Sequence, residues 1–359
     1  MASLAAIRWA DALHAAIARN ASDIHFVPGC APAMRVDGRL LTIASDAADA
    51  GETAELAAHF LGEEMLESLS RDGDASASLF VPGAGPMRVH AFRAGGGVHL
   101  AIRLLGRSIP SFDSLSLPRA VEDLTLRMRG LLIFSGPTGS GKSSSMAAAI
   151  DLINRTLEKR VVTIEDPVEF RHAARRSSIC QREIGRDTPG FESALMGALR
   201  SDPDVLAIGE MRTPETIRVA LTAAETGHLV LASLHTGDAP QAVDRIVDAV
   251  AGSNSASVRA QLGQALTGVV CQRLVPRLHG GGRRPVVEIM VANDAVRNLI
   301  REGKTHHLRN AIATGRPAGM QTFESHAREL VARGEIDARS VRDLDLGSSG
   351  RGDQRTEAS

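Results

Sequence analysis

Aromatic residues are scarce in this sequence, and its charges nearly cancel. The 359 residues include nine Phe, one Trp and no Tyr, which together make up 3% of the chain. Proteins that hold single-stranded nucleic acids stack the bases on aromatic side chains and carry an excess of basic residues. Here 41 Lys and Arg residues are balanced by 42 Asp and Glu residues, for a net charge of −1. The composition therefore predicts no nucleic-acid partner.

Cysteines are few, and long apolar runs are missing. Cys30, Cys180 and Cys271 are widely spaced and odd in number, so they predict neither a disulfide framework nor a CxxC zinc site. No apolar run approaches the roughly 18 residues of a membrane span. The first residues also lack the apolar core of a signal peptide. We expect a cytoplasmic protein without an integral membrane segment, able to dock on a membrane complex.

The length favours two domains over a single large α/β domain, and a hydrophobic content of 43% excludes wholesale disorder. Residues 1–105 have the pattern of an α+β domain. An Asp-Gly at 37–38 between alternating segments predicts a hairpin. We expect a helix over 53–69 and strands over 78–81 and 88–92. An earlier amphipathic helix is indicated by apolar residues at helical spacing, namely Ile7, Ala10, Leu13 and Ile17.

After a Pro- and Ser-containing segment at 106–118, which predicts a linker, the pattern changes. Over 119–345, short and continuously apolar runs alternate with helical segments, which is typical of a buried parallel sheet. The helix before the fourth run has Thr213 as its expected N-cap and Gly227 as its stop. The polar, Gly- and Ser-rich residues 346–359 predict a disordered tail. The four runs are Leu131–Phe134, Val161–Ile164, Val205–Ile208 and Leu229–Leu234.

A complete GxxxxGK[ST] motif follows the first apolar run and precedes a helical stretch over 144–154. Its glycines allow consecutive backbone N–H groups to face the phosphates of a nucleotide. We expect Lys142 to reach the β- and γ-phosphates and the Ser143 hydroxyl to bind Mg²⁺. The flanking strand and helix make a plain Gly-rich turn a poor alternative. The predicted nucleotide-binding residues are Gly136, Pro137, Thr138, Gly139, Ser140, Gly141, Lys142 and Ser143.

The other three runs also end in groups suited to phosphate chemistry, and ligands of parallel sheets bind beyond the carboxyl ends of the strands. Glu165 and Asp166 follow the second run as candidate ligands of Mg²⁺, and Glu169 is a candidate for orienting the attacking water. Glu210 closes the third run in the Walker B arrangement and is expected to orient or deprotonate that water. His235 ends the fourth run, where it is expected to sense the γ-phosphate. These residues predict a Mg²⁺-dependent nucleoside triphosphatase with a RecA-like core.

Taken in order, these motifs resemble those of the type II/IV secretion ATPase superfamily over nearly the whole chain. Within it, AVRNLIRE (295–302) and GMQT (319–322) are very similar to motifs of type IV pilus retraction motors. Pilus-assembly and type II secretion ATPases are longer and usually carry a four-cysteine metal module, which this sequence lacks. Besides the P-loop, the superfamily motifs are ASDIH (21–25), VDG (36–38), TIEDPVE (163–169), QREIGRDT (181–188), RSDPD (200–204), GEMR (209–212), and TAAETGH (222–228) through LHT (234–236).

The resemblance implies a RecA-like P-loop core preceded by a PAS-like α+β N-terminal domain, with ATP and Mg²⁺ held between them in a homohexameric ring. It implies that Arg88 and Arg103 act as fingers on the phosphates, a role that suits a planar and permanently charged guanidinium. The expected activity is ATP hydrolysis that drives pilus retraction and twitching motility. The expected partners are an inner-membrane pilus platform protein, contacted through 295–302, and a second retraction ATPase. The expected location is peripheral, at the inner-membrane pilus base.

Two segments depart from the family pattern. Residues 93–95 read Arg-Ala-Gly where relatives tend to have Gln-Arg-Gly, and residues 237–238 read Gly-Asp where Asn-Ser is expected. Neither change removes a predicted catalytic group.

Three alternatives stay open at this point. Another motor of the superfamily, for pilus extension, type II secretion or conjugation, would keep the nucleotide chemistry and change only the partner. A non-hydrolysing accessory subunit would bind ATP and stiffen the ring of another motor, although the intact Lys142, Ser143, Glu169 and Glu210 argue against it. A RecA-like helicase is disfavoured by the neutral charge balance and the scarce aromatics.

Overall fold

The chain divides into two compact units, each with its own sheet. The first comprises Met1–Ser108 and Pro167–Arg171, and the second comprises Ile109–Asp166 and His172–Ser359. The predicted tail over 346–359 lies outside the described residues. The computed structural model describes residues 4–36, 38–43, 46–105, 109–250, 254–280 and 282–342.

The first unit is a mixed α+β structure with one antiparallel sheet of strand order β3-β2-β1-β6-β5-β4. Every neighbouring pair in this sheet is antiparallel. Its elements are α1 (Leu4–Ala18), β1 (Asp23–Phe26), β2 (Ala33–Val36), β3 (Arg39–Thr42), α2 (Ala50–Phe60), α3 (Glu63–Asp72), β4 (Asp74–Val81), β5 (Gly85–Ala94) and β6 (Gly97–Leu104).

Helix α1 forms as predicted, but its buried face only partly matches the predicted one, since Leu13 is buried and Ile7 and Ala10 are exposed. Ile7 is 50% exposed, whereas Trp9 is 8% exposed and its ring centroid lies 4.8 Å from that of Phe60 in α2. Ala5 and Ala12, each 1% exposed, share the buried face with Trp9. The large apolar area of the indole decides the orientation, because burying it removes more surface from water than burying Ile7 would.

The single helix predicted over 53–69 is wrong, because two helices occupy this region. Helix α2 starts at a capping box in which Asp49 and Glu52 each accept the other's backbone N–H, at 2.8 Å in both directions. It ends before Gly62, whose extended backbone precedes α3. A glycine inside a helical pattern carries a high conformational cost, and here it marks the boundary.

The strands of the first unit are longer than the sequence pattern suggested. The segments predicted over 78–81 and 88–92 lie within β4 and β5, and β6 was not predicted at all. The predicted hairpin is confirmed, since Val36 pairs with Arg39 in the β2–β3 register, while Asp37 of its turn lies outside the described residues.

The second unit holds a seven-stranded sheet covered by helices. No helix in the described part of the chain combines the length and apolar character that crossing a membrane requires. The elements are α4 (Phe112–Leu115), α5 (Arg119–Thr125), β7 (Gly130–Ser135), α6 (Lys142–Thr156), β8 (Arg160–Glu165), β9 (Ser178–Glu183), α7 (Phe191–Ala198), β10 (Val205–Ile208), α8 (Pro214–Glu225), β11 (Leu229–Leu234), α9 (Ala239–Val250), α10 (Ser255–Ala265), β12 (Leu266–Pro276), β13 (Arg283–Val291), α11 (Asp294–Arg301), α12 (Leu308–Thr314), α13 (Phe323–Ala332) and α14 (Ala338–Arg342).

The strand order of this sheet is β13-β12-β7-β11-β10-β8-β9, with every pair parallel except β12–β13. The four apolar runs predicted as buried strands are β7, β8, β10 and β11, and the prediction is confirmed. Residues 131–134 of β7 are fully buried. The predicted fold class, a RecA-like core preceded by an α+β unit, is also confirmed.

Three strands of this sheet escaped prediction because polar residues interrupt their apolar pattern. The edge strand β9 reads SICQRE and is only half buried. Strand β12 continues directly from α10, so no turn signal separates the two, and it contains Gln272 and Arg273. Strand β13 begins with two arginines at 283–284.

The predicted linker is largely part of the second unit. Residues 106–108 lie outside the described residues, but residues 109–118 cluster with the second unit. Ser111 and Ser114 form a capping box at the start of α4, and Phe112 is 3% exposed. The serines that suggested a flexible connection are therefore helix caps.

Helix α8 begins and ends as predicted. The Thr213 hydroxyl accepts the backbone N–H of Thr216 at 3.2 Å, and Pro214 occupies the first turn. Gly227 follows the helix with a φ of 114°.

Two glycines provide a matched test of packing at the amino ends of neighbouring strands. Gly130 (φ 110°) and Gly227 (φ 114°) share a backbone conformation that residues with a Cβ rarely adopt. A Cβ at Gly130 would lie 2.7 Å from the Ala265 carbonyl oxygen and 2.5 Å from Thr267 Cγ2, whereas one at Gly227 would meet nothing within 4 Å. We expect Gly130→Ala to lower the free energy of unfolding by about 2 kcal/mol more than Gly227→Ala. Urea unfolding followed by circular dichroism measures both, and equal losses would contradict this packing.

Candidate functional site

The P-loop follows β7 and leads directly into α6, as the motif predicts. All residues of β7 are buried, and α6 begins at Lys142 after Gly141, which has a φ of 92°. Gly136 has a φ of 142°, and a Cβ there would lie 2.3 Å from the carbonyl oxygen of Gln272 in β12. The first glycine of the motif is therefore required by close approach of two backbones as well as by conformation. The Gln272 side chain also donates to the Ser140 carbonyl at 2.9 Å and braces the loop.

The Lys142 ammonium is held by the loop itself. Its Nζ donates to the carbonyl oxygens of Gly136 at 2.8 Å and Pro137 at 3.0 Å, and the residue is 8% exposed. A buried ammonium needs such partners because it has lost its hydration. A phosphate oxygen is a stronger, charged acceptor, so a nucleotide bound in the loop would compete for these hydrogen bonds.

Glu210 follows β10, and two basic side chains engage the same oxygen of its carboxylate. Arg212 Nε lies 2.7 Å and His235 Nε2 lies 3.1 Å from Glu210 Oε1. Burial acts to raise the pKa of Glu210, but the hydrogen bond from Arg212 and the nearby His235 outweigh it, and the pKa is lowered. The carboxylate is therefore ionised at neutral pH and can accept a hydrogen bond from water.

Glu165 and Asp166 lie at the end of β8, the strand beside β10. The Thr163 hydroxyl donates to Glu165 Oε1 at 2.5 Å, and Gln181 Nε2 donates to the same atom at 3.1 Å. The pKa of Arg212 is raised mainly by its hydrogen bond to Glu210, with a smaller contribution from Asp166. Asp166 is thus close enough to the Glu210–Arg212 pair to act on it electrostatically.

The second unit therefore brings most of the predicted site residues to one edge of its sheet. The P-loop, Glu165, Asp166, Glu210 and His235 follow β7, β8, β10 and β11, which are parallel neighbours. Among the described residues, no three His, Cys, Asp or Glu side chains form a group that could hold a metal ion. The predicted Mg²⁺ ligands are the Ser143 hydroxyl and two carboxylates, Glu165 and Asp166, and such a set is not a group of three acidic, His or Cys side chains. These ligands therefore stay a prediction.

The residues after the His235 segment have a structural role of their own. Asp238 Oδ1 accepts the backbone N–H of Gln241 at the start of α9, at 2.8 Å. The other oxygen of this carboxylate accepts a hydrogen bond from Arg309 in α12 at 2.6 Å. At 237–238, where the sequence departs from the family pattern, the Asp238 carboxylate thus caps the start of α9 and connects it to α12.

Three predicted site residues belong to the first unit. Arg88 and Arg103 pair in the β5–β6 register and lie side by side on its sheet. Glu169 lies in Pro167–Arg171, the segment that clusters with the first unit rather than with the P-loop unit. Their roles toward a nucleotide stay predictions.

The sequence interpretation assigned no role to several residues that shape the site. Arg212 belongs to the GEMR motif, and its position two residues after Glu210 is a usable signal. Gln272 lies in a strand that was not predicted, and no local pattern links it to the P-loop. Ser135 lies between the first apolar run, which ends at Phe134, and the P-loop, which begins at Gly136.

Comparisons with known proteins agree with this geometry. A family model described as type II/IV secretion system protein matches residues 4–343. The type IV pilus retraction ATPase PilT of Pseudomonas aeruginosa is 39% identical over 325 residues, which cover 90% of this chain and 94% of that protein. A twitching motility protein of Neisseria gonorrhoeae is 40% identical over 313 residues, which cover 87% of this chain and 84% of that protein.

Solved structures show the same similarity. A crystal structure of the pilus retraction motor PilT with bound ADP has a TM-score of 0.87 and 38% identity, and the match covers 96% of this chain and 97% of that one. The resemblance to the secretion ATPases inferred from the motifs is confirmed. The chain belongs to the type II/IV secretion system protein family.

Proposed function

We propose that this chain is a Mg²⁺-dependent ATPase that drives retraction of a type IV pilus and twitching motility. One observation carries the proposal: a complete P-loop, Glu210 and His235 follow parallel neighbouring strands. They do so in a chain that is 39% identical, over 90% of its length, to a pilus retraction ATPase. That similarity favours retraction over the extension and secretion motors of the superfamily.

ATP binding is assigned to the P-loop, residues 136–143. Its backbone N–H groups would face the phosphates, and Lys142 would exchange its two carbonyl partners for phosphate oxygens. Ser143, Glu165 and Asp166 offer hydroxyl and carboxylate oxygens, the donor types that Mg²⁺ prefers, so these residues fit the ion. When bound, Mg²⁺ neutralises charge that develops on the phosphate oxygens.

Hydrolysis is assigned to Glu210, which lies at the same sheet edge as the P-loop, and to Glu169. Glu210 is ionised and would hold the attacking water and accept its proton, with Glu169 helping to orient that water. His235, 3.1 Å from Glu210, would donate to the γ-phosphate and so report whether it is present. The product is ADP with free phosphate.

We assign the motor action to a movement of the first unit that follows loss of the γ-phosphate, within a homohexameric ring. Arg88 and Arg103 would contact the phosphates and lose that anchor when the γ-phosphate leaves. The resulting movement would be passed to an inner-membrane platform protein at the pilus base, where a second retraction ATPase is a further expected partner.

The output surface is assigned to α11, which carries the AVRNLIRE segment. Val296 and Ile300 are buried, and Arg301 is exposed. Arg297, in contrast, donates to the carbonyl oxygens of Gly263 at 2.6 Å and Gln264 at 2.7 Å, at the end of α10. Arg301 is therefore the better probe of a partner contact, because Arg297 also holds two helices together.

Lys142→Ala tests nucleotide binding. Removing the only P-loop ammonium should lower ATP turnover by about a hundredfold or more, because charge on the phosphates loses its strongest donor. Lys159→Ala is the matched control, since Lys159 makes a partly exposed ion pair with Asp204 at the amino end of β8. A steady-state phosphate-release assay compares them, and wild-type turnover by Lys142→Ala would sink the ATPase proposal.

Glu210→Gln separates binding from hydrolysis. The amide keeps the size of the side chain but cannot accept the proton, so turnover should fall at least about a hundredfold while ATP is still bound. Glu215→Gln, in the first turn of α8, is the control. Fluorescent-ATP titration and phosphate release measure the two quantities. Turnover retained by Glu210→Gln would assign the base elsewhere, whereas a parent protein that binds ATP with no more activity than this variant would be an accessory subunit.

Arg301→Glu tests the output surface. ATP turnover should stay within about twofold of the parent, because α11 follows the carboxyl end of β13, which pairs with the start of β12 at the sheet edge opposite the P-loop, and twitching should be lost. Arg316→Glu, another exposed arginine of the second unit, is the control. The assay counts surface pili and twitching zones in cells that lack the native gene. Excess pili without movement supports retraction, bald cells would indicate assembly, and normal twitching would remove α11 from the output.

A further inference from the structure

A single buried hydroxyl joins the start of the P-loop to the segment that carries His235. Ser135, the last residue of β7, is fully buried. Its Oγ accepts the backbone N–H of Thr236 at 3.0 Å and lies 2.7 Å from the Thr236 hydroxyl. The carbonyl oxygens of Thr236 and Leu234 lie 3.1 Å and 3.3 Å away. The hydroxyl therefore contacts the residues on both sides of His235.

The position of this hydroxyl explains why it is needed. The backbone ladder between β7 and β11 ends where Ser135 pairs with Leu234. Beyond that pair Gly136 turns into the P-loop, so no strand remains to hold residues 235–236. Because a hydroxyl has one donor and two acceptor sites, Ser135 can accept both Thr236 groups and still donate to a carbonyl. It extends the pairing by one residue where the backbone cannot.

The other side of Ser135 is equally fixed. It pairs with Cys271 of β12 in the sheet register, and both residues are fully buried. Burial raises the pKa of Cys271 well above its usual value, so the thiol stays neutral and brings no charge to the site. Ser135 therefore has little freedom to move independently of the P-loop strand.

We propose that Ser135 and Thr236 are positioning residues that set the location of the His235 imidazole relative to Glu210 and the P-loop. This inference rests on the proposed function, in which His235 acts on the γ-phosphate. His235 is the exposed residue between two anchored neighbours, and its Nε2 lies 3.1 Å from Glu210 Oε1. Any shift of the end of β7 as the P-loop closes on phosphate is passed through the hydroxyl to the backbone of His235.

Three variants of the pair test the proposal. Ser135→Ala removes the Ser135 hydroxyl, Thr236→Val removes the Thr236 hydroxyl with little change in size and keeps its backbone N–H, and Thr236→Ser keeps both groups. We expect the first two to lower the ATP turnover number by about tenfold to a hundredfold with the KM for ATP changed less than about twofold. Thr236→Ser should keep turnover near that of the parent. If Ser135→Ala does not fold, the comparison of Thr236→Val with Thr236→Ser still tests the proposal, because Thr236 is partly exposed and its variants are expected to fold.

The control is a buried hydroxyl of the same unit away from the site. Thr125 is fully buried and donates to the Val121 carbonyl oxygen at 2.8 Å within α5. Thr125→Val should lower the melting temperature about as much as Thr236→Val and leave turnover unchanged. Assays are run well below the melting temperature of every variant. Equal turnover loss in Thr125→Val would reduce the effect to general instability and overturn the proposal.

A double-variant measurement distinguishes positioning from a separate effect on the P-loop. In a His235→Ala background, Ser135→Ala should lower turnover no further, because the imidazole it positions is already gone. The same fold loss in both backgrounds would overturn the proposal. If His235→Ala itself turns over ATP like the parent while Lys142→Ala does not, ATP hydrolysis at this site stands and the positioning inference fails. If Lys142→Ala is also unimpaired, it is the proposed function that fails.

Discussion

The pairing of β7 with β11 on one side and β12 on the other is the constraint on which the site depends. It fixes the P-loop between the His235 segment and Gln272, and it leaves Gly136 no room for a side chain. Parallel strands place their carboxyl ends at one edge, so residues far apart in sequence meet there without any local motif linking them. The remaining strands extend this edge and bring Glu210 and then Glu165 to it.

The charges at this edge are satisfied within the protein. Lys142 is held by two loop carbonyls, and Glu210 is held by Arg212 and His235. At Lys142 and Glu210 a bound nucleotide would therefore exchange one set of partners for another, whereas the buried Ser140 hydroxyl of the P-loop has no hydrogen-bond partner. Exchange of this kind limits the net binding energy, since the lost internal bonds must be offset. A limit of this kind suits a motor that must release ADP in each cycle.

The sequence predicted the parts of this molecule that are encoded locally. The P-loop, four buried strands and the cap at Thr213 each need only neighbouring residues to specify them, and all were found. The burial of Trp9 instead of Ile7, and the split at Gly62, depend on what packs against the helix, which a periodicity does not contain. The segment predicted as a linker differs, because Ser111 and Ser114 lie three residues apart and cap each other at the start of α4, which is a local signal that was not used.

Within the site, the residues that the sequence did not predict are mostly those whose contacts are distant in sequence. Gln272 reaches Ser140 across 132 positions, and Ser135 reaches Thr236 across 101. Neither contact leaves a pattern that a single sequence reveals. Arg212 is different, since it lies two residues from Glu210, and an arginine beside an acidic strand end was a readable signal.

Three arginines on the sheet of the first unit contribute little to its stability, so we explain them by ligand binding. Arg35, Asp23, Arg103 and Arg88 occupy matched register positions across four adjacent strands, so this row holds three guanidinium groups and one carboxylate on the same sheet face. Arg103 binds Asp23 at 2.9 Å, yet its side chain is 67% exposed, and an ion pair of that kind contributes about 1 kcal/mol or less. Like charges on adjacent strands oppose folding by a similar amount. This row of arginines contributes little to the stability of the first unit. Its guanidinium donors match phosphate oxygens, so the row is suited to binding an anion. The proposed contact of Arg88 and Arg103 with ATP requires such a surface.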